Sequence, residues 1–307
     1  MISWAFYMTN TNQFHLFENN WFMSVTMIFA SFIAGATSEG GGAVAFPIMT
    51  LFFKIKPAIA RDFSLMIQSF GMIMAGFAIY LSGIRFLKKV ILISSLGGIL
   101  GIFISLNFLA ELLTPSYIKI FFTSLWLSFA IFILFIWLKG DYFNKEHLDK
   151  PNIMALLLYG ILGGMISGLI GTGIDILIFS YLTLRHRICL KIATPTSVIL
   201  MGLNSFAGFF IKERFLGGME PVAWNYLLVA IPIVIFGAPF GAVFINERSK
   251  KFVLYFLVLS IVVQFISSLI IIPQTIELMM FSLMTFVLGS CVFYSFYYIG
   301  KLKNINF

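Results

Sequence analysis

Two short stretches of this chain combine glycine clusters with a carboxylate inside long apolar runs. The first reads Gly35-Ala-Thr-Ser-Glu39-Gly40-Gly41-Gly42, the second Gly168-Leu-Ile-Gly171-Thr172-Gly173-Ile-Asp175. Glycines interrupt a helix, and an unwound turn in apolar surroundings survives only where it lines a cavity or is buried in protein. The helices that restart near 43 and 174 would point their electropositive N-termini at such a cavity, which suits a small anion without needing a lysine. The ligand-facing reading of Gly40, Gly41, Gly42, Gly171, Thr172 and Gly173 stands against one in which they only permit close helix packing. Glu39 and Asp175 lie at the two breaks. They are read either as caps of the restarting helices or as proton-coupling or gating groups, since a carboxylate inside a membrane is costly and marks function.

A third set follows each break: Ser64 and Gln68 after the first, Thr194, Thr196, Ser197 and Asn204 after the second. Hydroxyls and amides in a cavity hold an oxygen-rich ligand; the alternative is hydrogen bonding between or within helices. Arg61-Asp62 precedes Ser64. The arginine is read chiefly as an interfacial side chain that snorkels to water, with anion steering as the alternative. Arg185, Arg187 and Lys191 read as loop charges, with His186 exposed between them. Cys189 and Cys291 have neither CxxC spacing nor His or Cys neighbours, so neither a disulfide nor a metal site is expected. No nucleophile elbow, zinc motif or phosphate-binding loop is present, so no enzymatic activity and no cofactor is expected.

The elements that must position these residues are membrane helices. Of 307 residues, 60% are hydrophobic and only 10% charged, against about 25% charged in a soluble domain. The expected fold is all-α and polytopic, with the lipid bilayer as solvent. Apolar segments fall at 21–53, 62–83, 87–110, 116–138, 152–184, 191–212, 222–246, 251–272 and 275–300. The net charge of +8 is read as loop Lys and Arg obeying the positive-inside bias rather than as a nucleic-acid surface. Residues 1–20 read as a polar, partly aromatic tail, 21–138 and 152–307 as two transmembrane units, and 139–151 as the polar loop between them.

The two units look like copies. At one constant offset Gly35 matches Gly168, Gly40 matches Gly173, Ala60 matches Ala193 and Ser64 matches Ser197. Each half later carries a Gly-x-x-x-Gly, at 97 and 101 and at 237 and 241. These faces fit packing within the chain or a homodimer equally well. The broken segments are either single interrupted crossings or re-entrant hairpins. The second arms, 43–53 and 174–184, reach roughly 16 Å, about half of the ~30 Å hydrocarbon core. Hairpins also divide Lys and Arg 14 to 6 between the two sides, with the N-terminus outside and the C-terminus in the cytoplasm. They leave three crossings per repeat, with 275–300 as an extra C-terminal helix in the second unit, so the repeats would be inverted, a common plan in secondary transporters.

Gly35–Gly42 followed by Ala43-Val-Ala-Phe-Pro47, Ala60 and Ser64 resembles the TauE/SafE family of sulfite exporters, also called 4-toluenesulfonate uptake permeases. So does Ser167-Gly-Leu-Ile-Gly171-Thr-Gly173 followed by Ala193-Thr194, Ser197 and Ser205-Phe-Ala-Gly208. The resemblance covers about residues 21–300. It implies transport of sulfite, organosulfonates or related anions across the cell membrane, with the glycine turns and Ser/Thr-rich helix starts forming the path. Ser38-Glu39 and Ile174-Asp175 depart from the family's roughly Gly-Ile-Gly-Gly-Gly pattern, which points to proton coupling or to a different substrate. The expected function is secondary transport of a small sulfur-containing anion. The alternatives are a passive channel for another small solute and a membrane scaffold.

Overall fold

The computed structural model describes the whole chain except residues 110, 111, 113, 141, 142, 149, 150, 306 and 307, and except the side chains of 42, 43 and 302–305. The molecule is all helical. The expected N-terminal tail contains a helix, α1 (Ile2–Asn10), ahead of α2 (Leu16–Ala36). The rest of the first half is α3 (Gly41–Pro47), α4 (Pro57–Leu81), α5 (Lys88–Ile104) and α6 (Pro115–Leu138). The second half contains α7 (Ile153–Ile170), α8 (Ile174–Ser180), α9 (Leu190–Phe215), α10 (Pro221–Glu247), α11 (Lys250–Ile271) and α12 (Ile276–Ile305). Helices α3, α5 and α8 each run on into one wide π-helical turn, Ile48–Phe52, Ser105–Leu109 and Tyr181–Arg185. Among the described residues eight helices are long and apolar enough to cross a membrane.

Both broken segments fold back on themselves. In the first, the rings of Phe22 and Phe53 lie 4.3 Å apart, and Gly41 packs on Ala34 of the opposite arm. In the second, the Tyr159 and Tyr181 rings lie 5.1 Å apart, and Gly163 packs on Ile174. Helix α7 could span a membrane by length, yet its partner arm returns beside it. The single-crossing alternative is thereby excluded.

The hairpins enter from opposite ends of the bundle. The open end of the first hairpin shares its end with the start of α10: Phe22 and Phe63 both pack edge-on against Tyr226. Trp4 Nε1 donates to Leu228 O at 2.8 Å, a carbonyl freed because Pro232, four residues on, has no N–H. The open end of the second hairpin lies among the loops at the other end. There Lys145 N donates to Arg187 O at 3.0 Å, Lys250 Nζ to Asn144 Oδ1 at 2.9 Å, and Gly300 packs against the Arg185 backbone. Helices α4, α5, α6, α9, α10, α11 and α12 run from end to end between them.

The hairpins' long arms are seated by small residues. On α5, Gly97 and Gly101 face the carbonyls of Leu157 and Ile161 of α7, while Gly160 and Gly164 face Ser94 and Gly98 of α5. On α10, Gly237 lies against Ser31 of α2 and Gly241 against the Phe32 carbonyl, while Gly35 meets the Ala238 carbonyl. The Gly-x-x-x-Gly faces therefore serve packing within the chain. Each hairpin leans on a helix of the opposite half.

Candidate functional site

The hairpin tips meet between the middles of α4 and α9. Thr172 Oγ1 donates to the Glu39 carbonyl at 3.3 Å, joining one tip to the other. Gln68 Nε2, on α4, donates to Gly171 O at 2.7 Å. Ser205 Oγ, on α9, approaches the same oxygen at 3.5 Å. Gly40 has φ 78° and Gly171 φ 92°, a region L side chains rarely adopt. Space is equally short: a Cβ on Gly40 would lie 2.4 Å from Thr172 Oγ1, and one on Gly171 2.4 Å from Ser64 Cβ. The tips are packed shut against each other.

Buried polar atoms converge on this contact. Ser38 Oγ, Ser64 Oγ and Gln68 Oε1 are buried and make no hydrogen bond, and Ser197 Oγ is likewise buried and unpartnered on α9. Glu39 has the Ser260 hydroxyl beside its carboxylate, and Asp175 has Thr172 and the Gly173 backbone beside its own. Orphaned buried polar groups are rare in folded proteins and cost about 1–3 kcal/mol each. The residues at the cap positions of α3 and α8 are Gly40 and Gly173, which have no side chain to cap with. Asp175, in the first turn of α8, meets the backbone at Gly173 with its carboxylate, as the capping reading expects. The Ile174 N–H is taken by Ser167 Oγ at 2.9 Å and the Glu39 N–H by Thr37 Oγ1 at 3.2 Å. Helix α3 begins at Gly41, not near 43, and is only 7 residues long, as is α8.

The other residues singled out from sequence are spread more widely. Gly41 lies against the first arm of its own hairpin, and the surroundings of Gly42 lie outside the described residues. Asn204 is buried but faces α5: its Nδ2 donates to Ser95 Oγ at 3.3 Å and to Leu200 O at 2.9 Å, with Gly98 packed on its Oδ1. Thr194 is buried near the start of α9. Thr196 accepts from the Leu87 N–H at 3.0 Å and so anchors the α4–α5 connection. Arg61 does not snorkel. It is buried beside Asp62, which pairs with Lys212 of α9. Arg187 is buried too, its guanidinium over the Tyr297 ring at 4.8 Å, and His186 is half-buried against Tyr181.

Sequence reasoning missed Lys119. It is 1% exposed on α6 and lines a cavity of about 400 Å³ with Glu39, Ser260, Gln264 and Ser268. The available signal was a lone cation in the otherwise uncharged run 116–138.

Replacing Gln68 with Leu should destabilise the protein by about 1–3 kcal/mol, because the Gly171 carbonyl then loses its short hydrogen bond. Thermal unfolding in detergent measures this. An unchanged midpoint would mean that the tip does not depend on α4.

This architecture defines a multi-pass helical membrane protein with two re-entrant hairpins touching at their tips. The chain belongs to the sulfite exporter TauE/SafE family, whose profile matches residues 23–268, a family of membrane transporters. No curated protein and no solved structure matches it significantly.

Proposed function

We propose that this protein is a secondary transporter for a small sulfur-containing anion of the sulfite or organosulfonate type. The observation that carries this reading is the contact of two oppositely entering hairpin tips, with Ser64, Gln68, Thr172 and Ser205 against them. Irregular backbone at membrane depth serves transport sites in carriers of this general plan. The close contact of the tips supports alternating access over a channel. The cross-packing of α2 on α10 and α7 on α5 supports inverted repeats that rock about the tips. The family's description supports sulfite as the kind of cargo and export as the direction. The bundle end that gathers most Lys and Arg is assigned to the cytoplasm of the cell membrane by the positive-inside rule, so the N-terminus lies outside.

Glu39 and Asp175 are the coupling groups in this reading. Both are buried beside the tips, and an anion can share that space with them only when the charge is balanced. Uptake of labelled sulfite, thiosulfate and methanesulfonate into proteoliposomes tests this, with and without an imposed pH gradient. Saturable, gradient-driven movement of one anion is expected. Glu39→Gln or Asp175→Asn should reduce the gradient's stimulation at least tenfold while the protein stays monodisperse. Flux that ignores the gradient in wild type would remove both carboxylates from the mechanism. Flux that does not saturate would favour a channel.

A further inference from the structure

The cavity beside the first hairpin has a wall of α11, a wall of α2 and α3, and Lys119 of α6 reaching it. Most of its lining is apolar, with Phe32, Val44 and Phe256 among the walls. Two ionisable side chains of opposite type stand in it, Glu39 and Lys119, each about 1% exposed. They act on each other electrostatically, and the Ser260 hydroxyl of α11 lies beside the Glu39 carboxylate. Across the cavity, Gln264 is 8% exposed, and neither its amide nitrogen nor its amide oxygen has a hydrogen-bond partner. The Ser260 and Ser268 hydroxyls are turned to carbonyls of their own helix, Leu257 O at 2.8 Å and Phe265 O at 2.7 Å.

The geometry points to this cavity as the chamber in which the transported anion binds, with Lys119 and the Gln264 amide as its donors and Glu39 carrying one proton across with each monovalent anion. The inference rests on the transporter reading and names the site and charge balance it leaves open. An ammonium and an amide NH₂ at the edge of one apolar cavity can bind two oxygens of one small anion. In a low-dielectric chamber unbalanced charge is costly. With Glu39 and Lys119 both ionised the chamber is neutral. A monoanion adds one negative charge, and a proton on Glu39 cancels it. That proton enters from water with the anion and returns to water when the anion leaves, so the net charge moved is zero. Besides Lys119, the ionisable group that acts on this pair is Asp175 of α8; the α11 wall contributes only uncharged Ser260, Gln264, Ser267 and Ser268.

Methanesulfonate, a monoanion at all working pH values, is the probe, with sulfite beside it. Binding to detergent-purified protein is measured by calorimetry, and flux in proteoliposomes under an imposed membrane potential. The expected result is methanesulfonate flux in wild type that does not respond to the potential. Lys119→Gln should weaken binding and raise KM at least tenfold. Val263→Phe, which narrows the chamber from its α11 wall with an apolar side chain, should do the same. Glu39→Gln should leave binding within threefold and make the residual flux potential-dependent. The double variant Glu39→Gln/Lys119→Gln keeps the chamber neutral and controls for folding, and it too should bind at least tenfold more weakly. Wild-type affinity in Lys119→Gln and Val263→Phe, or wild-type flux that follows the potential, would overturn the chamber while leaving the transporter reading intact. Lys119-dependent binding without flux would overturn the transporter reading instead. Failure of wild type to bind either probe would overturn the chamber.

Discussion

Asp62→Asn should destabilise the folded protein by about 3–5 kcal/mol, the usual consequence of removing one partner of a buried ion pair. The Asp62 side chain is fully buried. Both carboxylate oxygens accept from Lys212 Nζ, Oδ2 also accepts from the Glu220 N–H at 2.9 Å, and Arg61 Nε lies 3.8 Å from Oδ1. One carboxylate therefore ties the start of α4 to the end of α9 and to the cap of α10. The neutral amide would leave the Arg61 and Lys212 cations near one another without their shared anion. Lys212→Met should be costly for the converse reason. Asp62→Asn/Lys212→Met should recover part of the loss, because two residues in direct contact are not additive. Urea or thermal unfolding in detergent gives the three values. An Asp62→Asn protein within about 1 kcal/mol of wild type would show that water or lipid headgroups already screen the cluster.

The second large effect lies where α7 rides on α5. A Cβ on Gly164 would sit 2.2 Å from the Gly98 carbonyl oxygen, and one on Gly101 2.0 Å from that of Ile161. Backbone atoms cannot rotate away as a side-chain end can, so the helices must part. Gly164→Val and Gly101→Val should each cost at least about 3 kcal/mol, the upper part of the range for overpacking. They should also abolish transport, because the displaced arm carries Gly171 and Thr172. Gly76→Ala is the matched control: its Cβ would meet Ile199 at 3.5 Å, an ordinary contact, and its stability should stay within about 0.5 kcal/mol of wild type. Size-exclusion chromatography with light scattering decides the other outcome. If Gly164→Val merely converted a dimer into a stable, active monomer, the glycine face would belong to a dimer interface instead.

Membrane helices and their breaks were legible because lipid simplifies the code: long apolar runs must be helices, and glycine clusters within them must be irregular. Charge counting favoured hairpins over crossings for an equally physical reason, and the ring pairs Phe22–Phe53 and Tyr159–Tyr181 bear that out. What sequence spacing cannot show is which elements meet. Asp62 and Lys212 lie 150 residues apart in sequence, and no local pattern couples them, so Arg61 read as a snorkelling side chain when it sits in a buried cluster. Asn204 and Ser64 carry similar chemistry, yet one faces α5 and the other the second hairpin's tip, because helical phase against unknown neighbours decides their direction. Lys119 was readable in principle. Its meaning depended on Glu39, which arrives from a hairpin far along the chain.

The two hairpins are not held alike. Helix α12, which lies beyond the family-matched stretch, is pressed along α6 and the second hairpin: Gly300 on Arg185, Phe293 on Phe129, and Phe296 on Tyr159 and Tyr181. The first hairpin is flanked instead by the cavity lined from α2, α3, α6 and α11. In mechanical terms the second hairpin is a fixed jaw, bolted by a strut of aromatic rings, and the first is a jaw with clearance on one side. A vise of this kind has a built-in polarity: its clearance lies on the side that carries Glu39.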